Sequence, residues 1–86
     1  MSILGKKATL YDIAGKIVGT GLINNENRFE ILVEERKTFI YIRFDRQAFN
    51  INIGKTFVGI LRKTSASEEI YNQIIDGKVN GIVRIE

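Results

Sequence analysis

Apolar and polar residues alternate over most of the chain with the period of two that places successive side chains on opposite faces of a β-strand. In RFEILVE, from Arg28 to Glu34, Phe29, Ile31 and Val33 share one face, while Arg28, Glu30 and Glu34 share the other with Leu32 as its one apolar member. A short ERK connection leads to TFIYIRF, Thr38 to Phe44, whose aromatic and β-branched residues favour a strand, so the two segments predict a hairpin. The charge on Arg43 assigns Phe39, Tyr41 and Arg43 to the outer face and Thr38, Ile40, Ile42 and Phe44 to the core.

The same pattern extends in both directions. ATLYDI and KIVGTGLI flank an AGK turn as a first hairpin, and NNEN at Asn24 to Asn27 supplies residues that tolerate Asx-turn geometry before the next one. DRQA reads as a bend into FNINI, where Phe49, Ile51 and Ile53 alternate with Asn50 and Asn52; TFVGILRK follows, and VNGIVRIE closes the chain. One segment carries helical spacing. In SEEIYNQIID, Ser67 can cap a first turn, Ile70 and Ile74 lie four apart, Tyr71 and Ile75 repeat the spacing, and Gly77 stands at a C-cap position. This predicts one short helix near residues 68–76, docked on the sheet because two to three turns are marginal alone.

The predicted fold is therefore mainly β: a small antiparallel, strongly bent sheet or partly closed barrel of six to seven short strands with that one helix. Its size is that of SH3-like and OB-like barrels. A chain of 86 residues has apolar material for one core, so residues 1–86 read as a single small β-barrel-like domain.

Composition narrows the chemistry. Cysteine and histidine are both absent, which removes thiolate and imidazole ligands, thiol nucleophiles and the side chain best suited to proton transfer near neutral pH. No cofactor and no metal are expected, and no enzymatic activity: Ser65 and Ser67 have no histidine to activate them, and Glu30 and Glu34 share a strand face without a cleft. MSILGKKA has the reverse order of a secretory signal and no apolar run has the length of a membrane span, so the expected location is cytoplasmic with no membrane partner.

Gly-Lys occurs three times, at Gly15, Gly54 and Gly77, and once precedes a threonine. A phosphate-binding P-loop also needs a glycine five positions before the Gly-Lys pair and a helix after it; Phe49 occupies the first place, and FVGIL after Thr56 reads as a strand. These glycines fit turns, while Gly19, Gly21, Gly59 and Gly81 fall inside strand-like segments, where a missing side chain permits the curvature of a small barrel.

The net charge of +3 conceals a segregation. Between Arg36 and Lys63 there are seven basic residues against one acidic, and the remainder is acidic by three. Such a field concentrates an anionic partner. Aromatics interleaved with arginines on an open sheet face suit single-stranded nucleic acid, where bases stack on rings and guanidinium groups meet phosphates. The candidate contacts are Tyr41, Arg43, Arg62, Lys63, Lys37, Arg46 and Lys55. The sequence thus predicts a non-catalytic module binding single-stranded nucleic acid or another polyanion. The alternative is a protein-interaction or assembly module, a subunit or small inhibitor or a homo-oligomer, that docks through an open sheet edge such as FNINI, through the outward Leu32 or through the aromatic face around Tyr41.

Overall fold

Eight strands follow one another in the computed structural model, which describes residues 2–46 and 48–86. They are β1 (Lys7–Asp12), β2 (Ile17–Leu22), β3 (Arg28–Val33), β4 (Thr38–Asp45), β5 (Ala48–Ile53), β6 (Thr56–Lys63), β7 (Ile70–Ile75) and β8 (Lys78–Ile85). Each pairs antiparallel with its sequence neighbour, and β8 returns to pair with β1 from Ala8↔Ile85 to Asp12↔Gly81, so the sheet closes into a barrel in chain order.

Two expectations are corrected. No helix occurs among the described residues, and the strand count is eight, because the segment expected to be helical is β7. Residues four apart share a face in a strand as well as in a helix, so the Ile70/Ile74 and Tyr71/Ile75 spacings were compatible with both. Tertiary pairing decides: β7 is laddered to β6 from Gly59↔Ile75 to Lys63↔Tyr71 and to β8 from Ile70↔Arg84 to Ile75↔Lys78. A helix there would leave two strand edges without partners. Gly77 is no helix cap; Asp76 and Gly77 both have positive φ, 53° and 74°, as the two-residue type I′ hairpin requires. The open-edge docking mode is corrected with it, since closure leaves no free edge and FNINI, as β5, is paired on both sides.

Eight strands enclose a space that side chains alone can fill. Ile31, Ile42, Ile51 and Val83 point inward and are almost wholly buried, and Phe49 packs edge-on against Phe29, Phe44 and Tyr71 at centroid distances of 5.8, 5.2 and 5.7 Å. The β3 and β4 faces are as the alternation predicted, with Phe29, Ile31, Ile40 and Ile42 in the core; Phe44, at the end of its strand, is 47% exposed. The interior glycines fit the tight curvature. A Cβ on Gly21 would overlap the Glu30 carbonyl oxygen of β3, so β2 can cross there only without a side chain. The hairpin turns alternate between the barrel's two ends, which puts Lys37 and Lys55 at one end and Arg46 and Lys63 at the other.

Candidate functional site

Directly paired residues share a sheet face, so the register of β3, β4 and β5 reads off three rows on the outer wall. The first is Arg28, Arg43 and Asn50; the second is Glu30, Tyr41 and Asn52; the third is Leu32 and Phe39, continued on β2 by Thr20. A β-bulge between Ile51 and Asn52 sets the local twist beside the second row. Two loops raise walls around these rows: Asn24 and Asn25 before β3, with the Asn25 side chain accepting from the Asn27 amide, and Gly54 and Lys55 in the β5–β6 hairpin. The result is an open groove of about 1020 Å³ on the outside of the barrel.

The groove has aromatic and cationic ends. Phe39 and Tyr41 are 43% and 36% exposed, with ring centroids 6.4 Å apart and planes tilted by 36°. Two residues further along β4, Arg43 faces Arg28 directly across the ladder. Among the described residues the ion pairs are Lys63 with Glu69, at 3.0 Å, and Arg84 with Glu86, at 3.6 Å, so neither arginine of the groove has a carboxylate partner. Like charges placed directly opposite destabilise a sheet, and here no ion pair offsets them. The arrangement can accept an anion between two guanidinium groups and a flat ring against exposed aromatics.

The seven residues expected from the sequence separate into two groups. Tyr41, Arg43 and Lys55 converge on the groove. The other four do not. Arg62 lies on the outer face of β6, opposite Asn72, and Lys63 is held by Glu69, whose other oxygen accepts from the buried Tyr71 hydroxyl. Lys37 and Arg46 adopt positive φ, 51° and 50°, in turns at opposite ends of the barrel. Sequence reasoning did not name Arg28, which lines the same groove. Counted across the three residues ERK, Arg28 would face Phe44; the observed connection is the four residues Glu34 to Lys37, which pairs Val33 with Thr38 and brings Arg28 opposite Arg43.

The remaining outer wall differs in character. Ile60 pairs with Ile74 and Ile74 with Val79, while Tyr11 pairs with both Ile82 and Ile17, giving two apolar rows, over β6 to β8 and over β8, β1 and β2, with Asn72 and Arg62 continuing the second on β7 and β6. No group of acidic, cysteine or histidine side chains that could hold a metal ion occurs among the described residues, and no helix there is long and apolar enough to cross a membrane. In comparisons with known proteins, no family model, curated protein or solved structure matches the chain. What stands is a small, closed, eight-stranded antiparallel barrel of the size on which binding modules are built.

Proposed function

We propose that the barrel is a non-catalytic module that binds single-stranded nucleic acid in the outer groove of β2 to β5. The observation that carries this reading is the opposed pair Arg28 and Arg43, neither in an ion pair, one row from the exposed ring of Tyr41 and two rows from that of Phe39. Stacking platforms beside a cationic track are what single strands require, because every base has a π-face and every linkage a charge. Arg28, Arg43 and Lys55 meet phosphates, and Tyr41 stacks a base.

Titration of a fluorescent oligonucleotide at low and near-physiological salt tests this. Affinity should be sub-millimolar and fall with salt. Tyr41→Ala should weaken binding by roughly one to two decades, given about 1 to 3 kcal/mol per stacked base. Arg43→Gln should weaken it and flatten the salt dependence by about 0.7 of a logarithmic unit, while Arg62→Gln, outside the groove, should leave it unchanged. Absence of binding at low salt in the parent removes the reading.

A second reading attaches to the apolar face across the barrel, where Ile17, Val79 and Ile82 are 57%, 49% and 38% exposed. Contiguous exposed apolar side chains mark protein contacts. Sedimentation over a concentration series separates self-association from a foreign partner: a species that stays monomeric into the high micromolar range excludes the first.

A further inference from the structure

Glu30 is out of place in a groove built for phosphates. It lies on the outer face of β3 directly opposite Tyr41, next to the Arg28–Arg43 row, yet it forms no ion pair and no side-chain hydrogen bond among the described residues. A free carboxylate beside a polyanion lowers affinity by repulsion unless it meets a hydrogen-bond donor of the ligand. On the other side of Tyr41, Asn52 is equally unengaged, its amide lining the same groove.

Taking the nucleic-acid reading of the groove as its basis, we propose that Glu30 makes the site selective for guanine. Cβ atoms directly opposite on neighbouring strands are about 4.5–5.5 Å apart. A base stacked on Tyr41 therefore has one edge toward Glu30 and the other toward Asn52. Guanine alone among the common bases presents two adjacent N–H donors, N1–H and N2–H, on one edge, matching the two oxygens of a carboxylate. Its other edge carries the O6 and N7 acceptors, which meet the Asn52 amide donors. Adenine and cytosine each offer an amino donor beside a ring-nitrogen lone pair, and uracil and thymine offer one N–H between two carbonyls. In all of these a carboxylate oxygen faces a lone pair. The three rows then divide the work: Arg28 and Arg43 hold a phosphate, Glu30 and Asn52 read the base stacked on Tyr41, and Phe39 with Leu32 supports its apolar flank.

Four fluorescent pentanucleotides, UUGUU, UUAUU, UUCUU and UUUUU, titrated at low salt into the parent and Glu30→Gln, test the proposal. A fifth, with inosine for guanine, removes only the N2 amino group. UUGUU should bind the parent about tenfold more tightly than the other three, the lower part of the range for a bidentate base contact because the site is open, and inosine should forfeit about half of that advantage on a logarithmic scale. In Glu30→Gln the guanine advantage should disappear, and UUAUU and UUCUU, whose amino donor beside a ring-nitrogen lone pair matches the Gln amide, should bind at least as tightly as UUGUU. Equal affinities in the parent, or a guanine preference that survives Glu30→Gln, overturn the selectivity while leaving the binding reading intact. Failure of every pentanucleotide to bind removes both. The inosine comparison needs no variant and keeps the test valid if Glu30→Gln perturbs folding.

Discussion

The Tyr71 hydroxyl, reaching out of the core from β7, donates to the Glu69 carboxylate, which also accepts from Lys63 Nζ at 3.0 Å. The β6–β7 connection is thereby fastened to the barrel at both of its ends. The carboxyl of Glu69 is held below its ordinary 4.5, first by the Tyr71 hydrogen bond, with burial opposing, and then by Lys63. Burial and the neighbouring Glu69 carboxylate push the Tyr71 hydroxyl above its ordinary 10.0.

These two shifts predict losses of stability at both extremes of pH. A depressed carboxyl contributes stability that is present above the unfolded value and lost as pH falls from about 4.5 through the folded one. A raised phenol contributes stability that is present below about 10 and lost as pH rises beyond it. Tyr71→Phe removes the phenol and the hydrogen bond together, so its urea midpoint should vary less steeply with pH on the alkaline side and somewhat less on the acid side. Superimposable pH profiles for parent and variant would show that the contact contributes nothing.

The crossing of β2 over β3 at Gly21 predicts an expensive small substitution. Gly21→Ala drives a methyl group into the Glu30 carbonyl oxygen, which is backbone and has no rotamer by which to yield. Relief requires the two strands to part, and overpacking of this kind costs typically about 1–3 kcal/mol. Because the displaced residue is Glu30, the preference for UUGUU should weaken as well. Chemical denaturation measures the first effect; an unchanged midpoint would place β2 further from β3 than described.

The strand assignment of β7 makes a contrast that a docked helix would not. Ile42 is buried in the core, whereas Ile74 is a half-buried residue of the outer face between Ile60 and Val79. Ile42→Ala should cost about 2–5 kcal/mol, and Ile74→Ala no more than about 1 kcal/mol, the scale of one cross-strand contact. Comparable losses at the two positions would contradict the outward phase of Ile74.

The β3–β4 hairpin, the turn at Asn24 to Asn27 and the inward run of Phe29, Ile31, Ile40 and Ile42 were legible from period two alone, since local alternation and turn chemistry carry that information. The β7 strand was not, because a spacing of four satisfies both periods; the discriminating signal was Asp76-Gly77, a hairpin dipeptide read instead as a helix end. Closure of β1 onto β8 joins opposite ends of the chain and has no local signature. Of the groove's lining, Tyr41, Arg43 and Lys55 were expected from the sequence because they carry the chemistry openly, whereas Arg28 was counted with the acidic remainder of the chain. Linear charge bookkeeping ignores register, which is what puts Arg28 beside Arg43 and removes Arg62 from their company.

That register predicts a conflict between stability and binding at one position. Arg28 and Arg43 repel across the β3–β4 ladder without an ion pair to either, and like charges directly opposite cost roughly 0.2–1 kcal/mol. Arg28→Gln should therefore raise the urea midpoint at low salt, and the gain should vanish near 1 M salt, where screening shortens the Debye length to about 3 Å. The same substitution should weaken oligonucleotide binding, because it removes one of the two guanidinium groups between which a phosphate sits. A residue kept only for folding would lose stability when replaced and affect binding no more than its unfolding explains. Should Arg28→Gln destabilise the barrel at low salt, the two arginines are not in repulsive opposition, and the groove loses the feature on which its anion binding was inferred.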